Sequence, residues 1–159
     1  MTFLYKIILK TLAVWDTLYM KAYINVCKAR GMKIGTGVKI SSHVDFGSDP
    51  FLIEIGDHTQ IAEATRFVNH NETLKTLNRI GLDKTSIPGK IKIGKNCSIG
   101  DNCVILQNIQ IGDNCILTTG SVLIHSMPSN SVFSGNPAKL ICSVYEYIET
   151  TLEKQRLHR

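Results

Sequence analysis

Aliphatic residues recur at every sixth position in the second half of the chain, and this spacing constrains the fold more than any other feature. The positions, all Ile or Leu, are Ile93, Ile99, Ile105, Ile111, Leu117 and Leu123. A period of six fits neither an α-helix, with about 3.6 residues per turn, nor a plain strand, with about two. It fits a triangular coil of about 18 residues, in which three short strands are each followed by a turn. The sequence therefore predicts an all-β solenoid.

Small residues mark the corners of the predicted coils. Cys97, Cys103 and Cys115 each stand four residues after an aliphatic position, where a compact apolar side chain suits an interior corner. The chain has five cysteines, an odd count, and no CxxC pair. We therefore predict free buried thiols and no metal site.

The first half of the chain repeats more loosely. Ile34, Ile40 and Phe46 are six apart, and after a slip of three residues Ile55, Ile61 and Phe67 continue the pattern. These positions predict four coils, at 34–51, 55–72, 93–110 and 111–128. Residues 71–89 break the rhythm and predict a loop that protrudes from a corner. The predicted β-helix covers residues 33–142 of one domain, 1–159.

Two helices are predicted to flank the coils, one within residues 1–30 and one at 143–159. At 100° per residue, one side of the first helix carries Leu4, Ile8, Leu12, Trp15, Tyr19 and Val26. The opposite stripe includes Lys6, Lys10, Lys21 and Lys28. Such a helix either covers the open end of the coils, which we favour, or lies on an anionic membrane surface.

The balance of charge limits the class of partner. A formal net charge of +5 suits an anionic partner such as a phosphate-bearing cofactor or anionic lipid. The chain has no nucleic-acid-binding motif, so nucleic acid is not an expected partner. Charged residues interrupt every apolar run near the N-terminus, which argues against a signal peptide or a membrane span. We expect a cytoplasmic protein, with peripheral membrane contact through the first helix as the alternative.

The repeat and its ending resemble the hexapeptide-repeat acyltransferases. The resemblance rests on IGKNCSIGDNCVILQNIQIGDNC (93–115), TGSVLIHSMPSNSV (119–132) and GNPAKLI (135–141). The Asn69-His70 step before a loop is similar to the sugar and capsular-polysaccharide O-acetyltransferase branch. The resemblance implies a left-handed parallel β-helix of about four coils with a helix at each end. It also implies a homotrimer with active sites between subunits, acetyl-CoA as co-substrate and a carbohydrate acceptor.

The resemblance also assigns roles to single residues. His70 is the expected catalytic base, because imidazole can take a proton from a hydroxyl at neutral pH, and Asn71 and Glu72 are expected to bind substrate. Many relatives have Asp where this chain has Asn71, so the group that orients His70 stays open. Many also have Lys where this chain has His125, so one phosphate contact to the cofactor stays open. The cofactor-binding candidates are Gly100, Thr119, Gly120, Ser121, His125 and Lys139. Corner backbone groups would bond the pantetheine arm, and Lys139 would reach the phosphates.

Other functions are compatible with the same repeat. A serine O-acetyltransferase or an amino-sugar N-acetyltransferase would use the same cofactor on another acceptor. A noncatalytic trimeric scaffold would retain the fold alone, although His70 and Gly-Asn-Pro-Ala-Lys argue against it. A metal-dependent γ-type carbonic anhydrase needs two closely spaced histidines on one coil, and the sequence offers no such pair.

Overall fold

A computed structural model describes residues 2–70 and 89–157 of the chain. Short strands alternate with turns between two helices, α1 (Thr2–Ala29) and α2 (Val144–Leu157). The strands are β1 (Lys33–Ile34), β2 (Lys39–Ile40), β3 (Ile53–Ile55), β4 (Gln60–Ile61), β5 (Arg66–Val68), β6 (Ile91–Ile93), β7 (Ser98–Ile99), β8 (Val104–Leu106), β9 (Ile109–Ile111), β10 (Ile116–Leu117), β11 (Val122–Leu123), β12 (Ser131–Gly135) and β13 (Ala138–Ser143).

Three sheets form the faces of a triangular prism. The first face has the order β1-β3-β6-β9, the second β2-β4-β7-β10-β12-β13, and the third β5-β8-β11. Neighbouring strands pair in parallel and in register, except that β13 runs antiparallel to β12. The architecture is a left-handed parallel β-helix, so the predicted fold class is confirmed.

The interior consists of three stacks of aliphatic and aromatic side chains. The stacked residues of the inner coils are Ile55, Ile93 and Ile111, Ile61, Ile99 and Leu117, and Phe67, Ile105 and Leu123. Each is at most 4% exposed. Burial of such a side chain contributes about 1.5–3 kcal/mol, which makes these stacks the main source of stability.

The coils differ in length although their stacks are in register. Coil 1 is residues 32–52, coil 2 is 53–90, coil 3 is 91–108 and coil 4 is 109–126. Equivalent residues of the first face, Ile34, Ile55, Ile93 and Ile111, are therefore 21, 38 and 18 positions apart. The extra residues of coils 1 and 2 lie at one corner, between the third face and the first. In coil 1 they include a 3-10 turn, Pro50–Leu52, and in coil 2 they include the predicted protruding loop, most of which (71–88) lies outside the described residues.

The corner between the first and second faces is closed by a ladder of side chains. Asn96, Asn114 and Asn130 have φ of 54°, 55° and 60°, a left-handed conformation that Asn tolerates better than most residues. Asn96 Nδ2 donates to Asn114 Oδ1 at 3.2 Å, and Asn114 Nδ2 donates to Asn130 Oδ1 at 2.9 Å. The positions that the sequence marked as turns therefore hold adjacent coils together.

The cysteines of the repeat point into the corners, as predicted. Cys97, Cys103 and Cys115 are at most 2% exposed, and all five cysteines of the chain are free thiols. Cys97 Sγ donates to the carbonyl oxygen of Gly112 at 3.0 Å. Burial raises the pKa of the Cys103 thiol, which keeps that thiol neutral. These residues are packing groups.

One face of α1 covers the open end of coil 1, but it is not the face expected from the sequence. The residues that pack against the core are Met20, Tyr23, Ile24 and Cys27. The Tyr23 ring stacks on Phe46, with 5.8 Å between ring centroids. The predicted apolar stripe is exposed, since Ile8, Leu12, Trp15, Tyr19 and Val26 are 48–70% accessible. Within residues 2–70 and 89–157, no helix has both the length and the hydropathy to span a bilayer.

The other end of the stack is closed by an antiparallel hairpin that the sequence analysis did not anticipate. Residues 138–142 were expected to belong to the coils, but β13 turns back at Asn136-Pro137 and pairs with β12. α2 then starts with a capping box: Ser143 Oγ accepts the Glu146 N–H at 3.2 Å, and Glu146 Oε2 accepts the Ser143 N–H at 2.7 Å. The hairpin thus ends the parallel second face.

Candidate active site

His70 lies at the corner where coil 2 leaves the regular path. It follows β5 by two residues and directly precedes the undescribed segment 71–88. Its side chain is 33% exposed, so the imidazole is partly shielded yet open to a ligand. This is the position that a base needs if an acceptor enters beside the long segment.

The residue before the histidine fastens this corner to the coil below. Asn69 is 1% exposed, and its Nδ2 donates to the carbonyl oxygens of Phe46 at 3.0 Å and Asp49 at 2.9 Å. Gly47 leaves the necessary room, because a Cβ there would lie 2.6 Å from Asn69 Oδ1. The backbone of the coil 1 turn is therefore fixed directly under His70.

That turn brings a carboxylate to the histidine. Asp49 Oδ2 is 3.9 Å from His70 Nδ1, and the Ser48 hydroxyl donates to the same oxygen at 3.1 Å. The sequence alone leaves the orienting group of His70 open and does not indicate Asp49. The signal was the three-residue slip, since the inserted turn at this corner of coil 1 places Asp49 one coil below His70.

A shallow cavity of about 230 Å³ opens beside His70. Its polar lining comes from Ser48, Arg66, Asn69 and His70. Arg66 Nε is held by Asp45 Oδ2 at 3.2 Å, which fixes one cation at the rim. The cavity therefore offers donors and acceptors to a hydroxyl-rich ligand, while the expected substrate residues Asn71 and Glu72 lie outside the described residues.

Three of the cofactor candidates share the corner between the second and third faces. Gly100 is required by packing, because a Cβ there would lie 2.4 Å from the backbone nitrogen of Thr119. Gly120 has φ of +72°, and no atom of the described residues would lie within 4 Å of a Cβ on it. Thr119 is also exposed. A ligand can therefore approach Thr119 and Gly120 closely from outside the coils.

Ser121 is placed differently from the expectation that it faces a cofactor. Its side chain is fully buried, and its Oγ accepts the Gly135 N–H at 3.1 Å. It lies 3.2 Å from the Thr118 hydroxyl. The side chain of Ser121 joins coil 4 to the end hairpin and has no access to a ligand at the surface.

The remaining cofactor candidates lie elsewhere. His125 is exposed at the His70 corner, two coils further along the stack, and Lys139 is exposed on β13 opposite Ser134. The third face separates this corner from that of Gly120, and five residues of extended chain span about 16 Å. One chain alone thus places the predicted base and most of the predicted cofactor residues on opposite edges of a face.

No metal centre accompanies this site in the part of the chain that the structure describes. Residues 2–70 and 89–157 contain no group of three or more His, Cys, Asp or Glu side chains arranged to hold an ion. The groups available for chemistry are the imidazole of His70, the carboxylate of Asp49 and backbone amides at the corners. These can move a proton and stabilise charge.

A left-handed β-helix with a histidine at such a corner is typical of the hexapeptide-repeat transferases, and comparisons of this chain with known proteins agree with that class. The family described as bacterial transferase hexapeptide (six repeats) matches residues 90–125. Protein CapG of Staphylococcus aureus is 34% identical over 139 residues, which cover 84% of this chain and 80% of CapG. The chain therefore belongs to the hexapeptide-repeat acyltransferase family, and its activity is acyl transfer.

More distant relatives share part of this likeness. Serine acetyltransferase 2 of Arabidopsis thaliana is 34% identical over 90 residues, which are 57% of this chain but only 28% of that protein. The crystal structure of a maltose O-acetyltransferase from Clostridium difficile superposes with a TM-score of 0.61 at 20% identity, over 76% of this chain and 73% of that one. At this identity the superposition supports the fold alone.

Proposed function

We propose that the chain transfers acetyl from acetyl-CoA to a hydroxyl group of a sugar, with His70 as the general base. The observation that carries this proposal is the His70 imidazole at the interrupted corner, with the Asp49 carboxylate 3.9 Å from its Nδ1. Nδ1 faces the carboxylate, and we assign the transfer of the acceptor's proton to Nε2.

The reaction requires two proton transfers, one from the acceptor hydroxyl to His70 and one from His70 to the leaving thiolate. His70 Nε2 accepts the proton of the acceptor hydroxyl as that oxygen bonds to the thioester carbonyl carbon. When the carbon–sulfur bond breaks, the imidazolium returns the proton to the leaving thiolate, so atoms and charge balance without a covalent enzyme intermediate. The Asp49 carboxylate beside Nδ1 would orient the ring during both transfers.

We propose a homotrimer, because its symmetry would unite the two separated corners. A threefold rotation would bring the Gly120 corner of one subunit towards the His70 corner of the next, which completes a site that one chain leaves divided. Light scattering should give three times the 17.7 kDa chain mass. A monomer at micromolar concentration would remove the intersubunit site.

Within that trimer, we propose that Lys139 binds the phosphates of acetyl-CoA through its exposed ammonium group. Lys139→Glu should raise KM for acetyl-CoA roughly fivefold, because one favourable charge becomes unfavourable. Lys39→Glu, an exposed strand lysine on the same face, is the matched control and should leave KM unchanged. Equal effects of the two changes would assign the loss to overall charge.

The acceptor is best tested by release of free CoA against a panel of sugars, nucleotide sugars, amino sugars and serine. Polar groups of the cavity, including Ser48 and Arg66, favour an acceptor with several hydroxyls. Turnover with serine alone would support the alternative that follows from the Arabidopsis relative. If no acceptor stimulates CoA release, the noncatalytic scaffold is favoured.

A further inference from the structure

Helix α1 has two apolar faces, and coil 1 uses only one of them. The face centred on Met20, Tyr23 and Cys27 packs on the core. The second face, here called the outer stripe, consists of Ile8, Leu12, Trp15, Tyr19 and Val26. At 100° per residue the two faces point about 85° apart. The contacts that hold α1 in place therefore leave the outer stripe uncovered.

The outer stripe is long and continuous. Its side chains are 48%, 55%, 70%, 67% and 56% exposed, in chain order. From Ile8 to Val26 it extends about 27 Å along the helix axis. Isolated exposed apolar residues are common, but an aligned row on one helix face indicates an interaction surface.

The charges of α1 indicate what that surface meets. Lys6, Lys10, Lys21 and Lys28 are exposed on the side of the helix opposite the stripe. Asp16 is the one acidic residue between Thr2 and Ala29, and the whole chain carries a formal charge of +5. An apolar row that contains Trp and Tyr, opposed by lysines, complements an anionic lipid surface.

We propose that α1 lies along the surface of an anionic bilayer with the outer stripe in the interface. Trp15 and Tyr19 rest at the level of the headgroups, and the lysines remain near the lipid phosphates. A second copy of α1 is less suited to the same face, because two helices that each carry four lysines and one aspartate repel each other, whereas anionic lipid attracts them. The proposal stands independently of the acceptor and of His70.

Trp15 provides the measurement, because it is the only tryptophan of the chain. The full-length protein is titrated with vesicles of phosphatidylcholine that contain phosphatidylglycerol, and separately with phosphatidylcholine alone. Anionic vesicles should shift the Trp15 emission to shorter wavelength and should sediment with the protein. High salt should weaken this binding by screening the lysines.

A matched pair of variants tests whether vesicle binding depends on the outer stripe or on any exposed apolar residue of α1. Leu12 and Val14 are 55% and 57% exposed, but Val14 points about 120° away from the centre of the stripe. Leu12→Ser should weaken vesicle binding roughly tenfold, whereas Val14→Ser should change it little. Lys6→Gln and Lys10→Gln should each weaken binding to anionic vesicles roughly fivefold.

Circular dichroism and the oligomer mass from light scattering establish that each variant folds and assembles as the native chain does. An unchanged Trp15 spectrum with anionic vesicles would overturn the proposal. In the absence of lipid, a blue shift that grows with protein concentration, together with a mass above that of the trimer by light scattering, would also overturn it. A second copy of the chain would then be the occupant of the stripe. Equal loss of binding in Leu12→Ser and Val14→Ser would contradict the assigned face.

Discussion

Coils 3 and 4 differ from coils 1 and 2 in how strictly they repeat. Ile93 and Ile111 are 18 positions apart, whereas Ile34 and Ile55 are 21 apart and Ile55 and Ile93 are 38 apart. In chain order, the additional residues of the early coils all fall between the third face and the first, and the described part of that corner holds Asp49 and His70. The regular coils supply hydrophobic burial, and the interrupted corner brings an imidazole and a carboxylate together.

A similar contrast holds between two corners of the stack. The corner with the asparagine ladder uses its side chains to bond the next coil. At the interrupted corner, buried Asn69 bonds the coil below and leaves His70 facing outward. Structural and chemical roles are therefore divided between neighbouring residues, which allows each to be changed separately.

The largest effect should come from removal of the base. His70→Ala should lower kcat roughly 10²- to 10⁴-fold, because no other group would take the hydroxyl proton. The melting temperature and oligomer mass should remain, since the side chain lies outside the stacked core. Steady-state kinetics and light scattering measure both. Near-normal turnover on the true acceptor would exclude His70 as the base.

A substitution in the core should instead lower the stability of the fold. Ile105→Ala in coil 3 should lower the free energy of unfolding by about 2–5 kcal/mol, because the fully buried side chain has no space to relax. Ile40→Ala in coil 1, where the side chain is partly exposed, should cost about half as much. Chemical denaturation measures the two values. An equal cost at both sites would mean that the early coils are packed as tightly as the regular ones.

Asp49 should contribute less than the base that it faces. Asp49→Asn should lower kcat roughly tenfold with little change in KM, because a partly exposed charge at 3.9 Å stabilises the imidazolium only moderately. Asp49→Glu should restore part of the loss. Asp113→Asn, which keeps an oxygen to accept the Lys95 N–H, is the control at another corner. If KM rises and kcat is retained, Asp49 binds the acceptor instead.

The smallest effect concerns acid stability of the regular corners. The Thr36 N–H and hydroxyl, together with Lys95, lower the pKa of Asp57. Since the folded pKa lies below the unfolded one, the stabilisation is complete above about pH 4 and is lost as the pH falls through the folded value. The difference in melting temperature between the native chain and Asp57→Asn should therefore narrow in acid. Asp16→Asn on α1 is the control, and a constant difference would contradict the role of ionised Asp57.

The regular coils were the most predictable part of the molecule. Interior positions such as Ile99 and Leu117 see the same environment in every coil, so a single period determines them. The three-residue slip was also visible in the sequence. Its chemical meaning was not, because the proximity of Asp49 to His70 depends on how the inserted turn folds back.

The ends of the fold were harder to predict. A helical wheel finds the most apolar side of α1, but the side that packs, with Met20 and Cys27, depends on the shape of coil 1. Likewise, residues 138–143 carry no sign of whether they continue the parallel second face or turn back on it. The burial of Ser121, by contrast, follows from the repeat, because Val122 pairs with Val104 and Ser121 therefore takes the interior corner position of Cys103. The repeat does not encode the bond that Ser121 accepts from the Gly135 N–H.

The stack of parallel strands also fixes distances along the axis of the β-helix. On the second face β13, which carries Lys139, is four strand spacings from β4 of the coil that carries His70. At about 4.8 Å per spacing, this sets roughly 19 Å along the axis between the two levels. An additional copy of residues 91–108 would lengthen this span by one spacing without altering either corner. The number of coils thus sets the length of a ligand that could reach from the level of Lys139 to the level of His70.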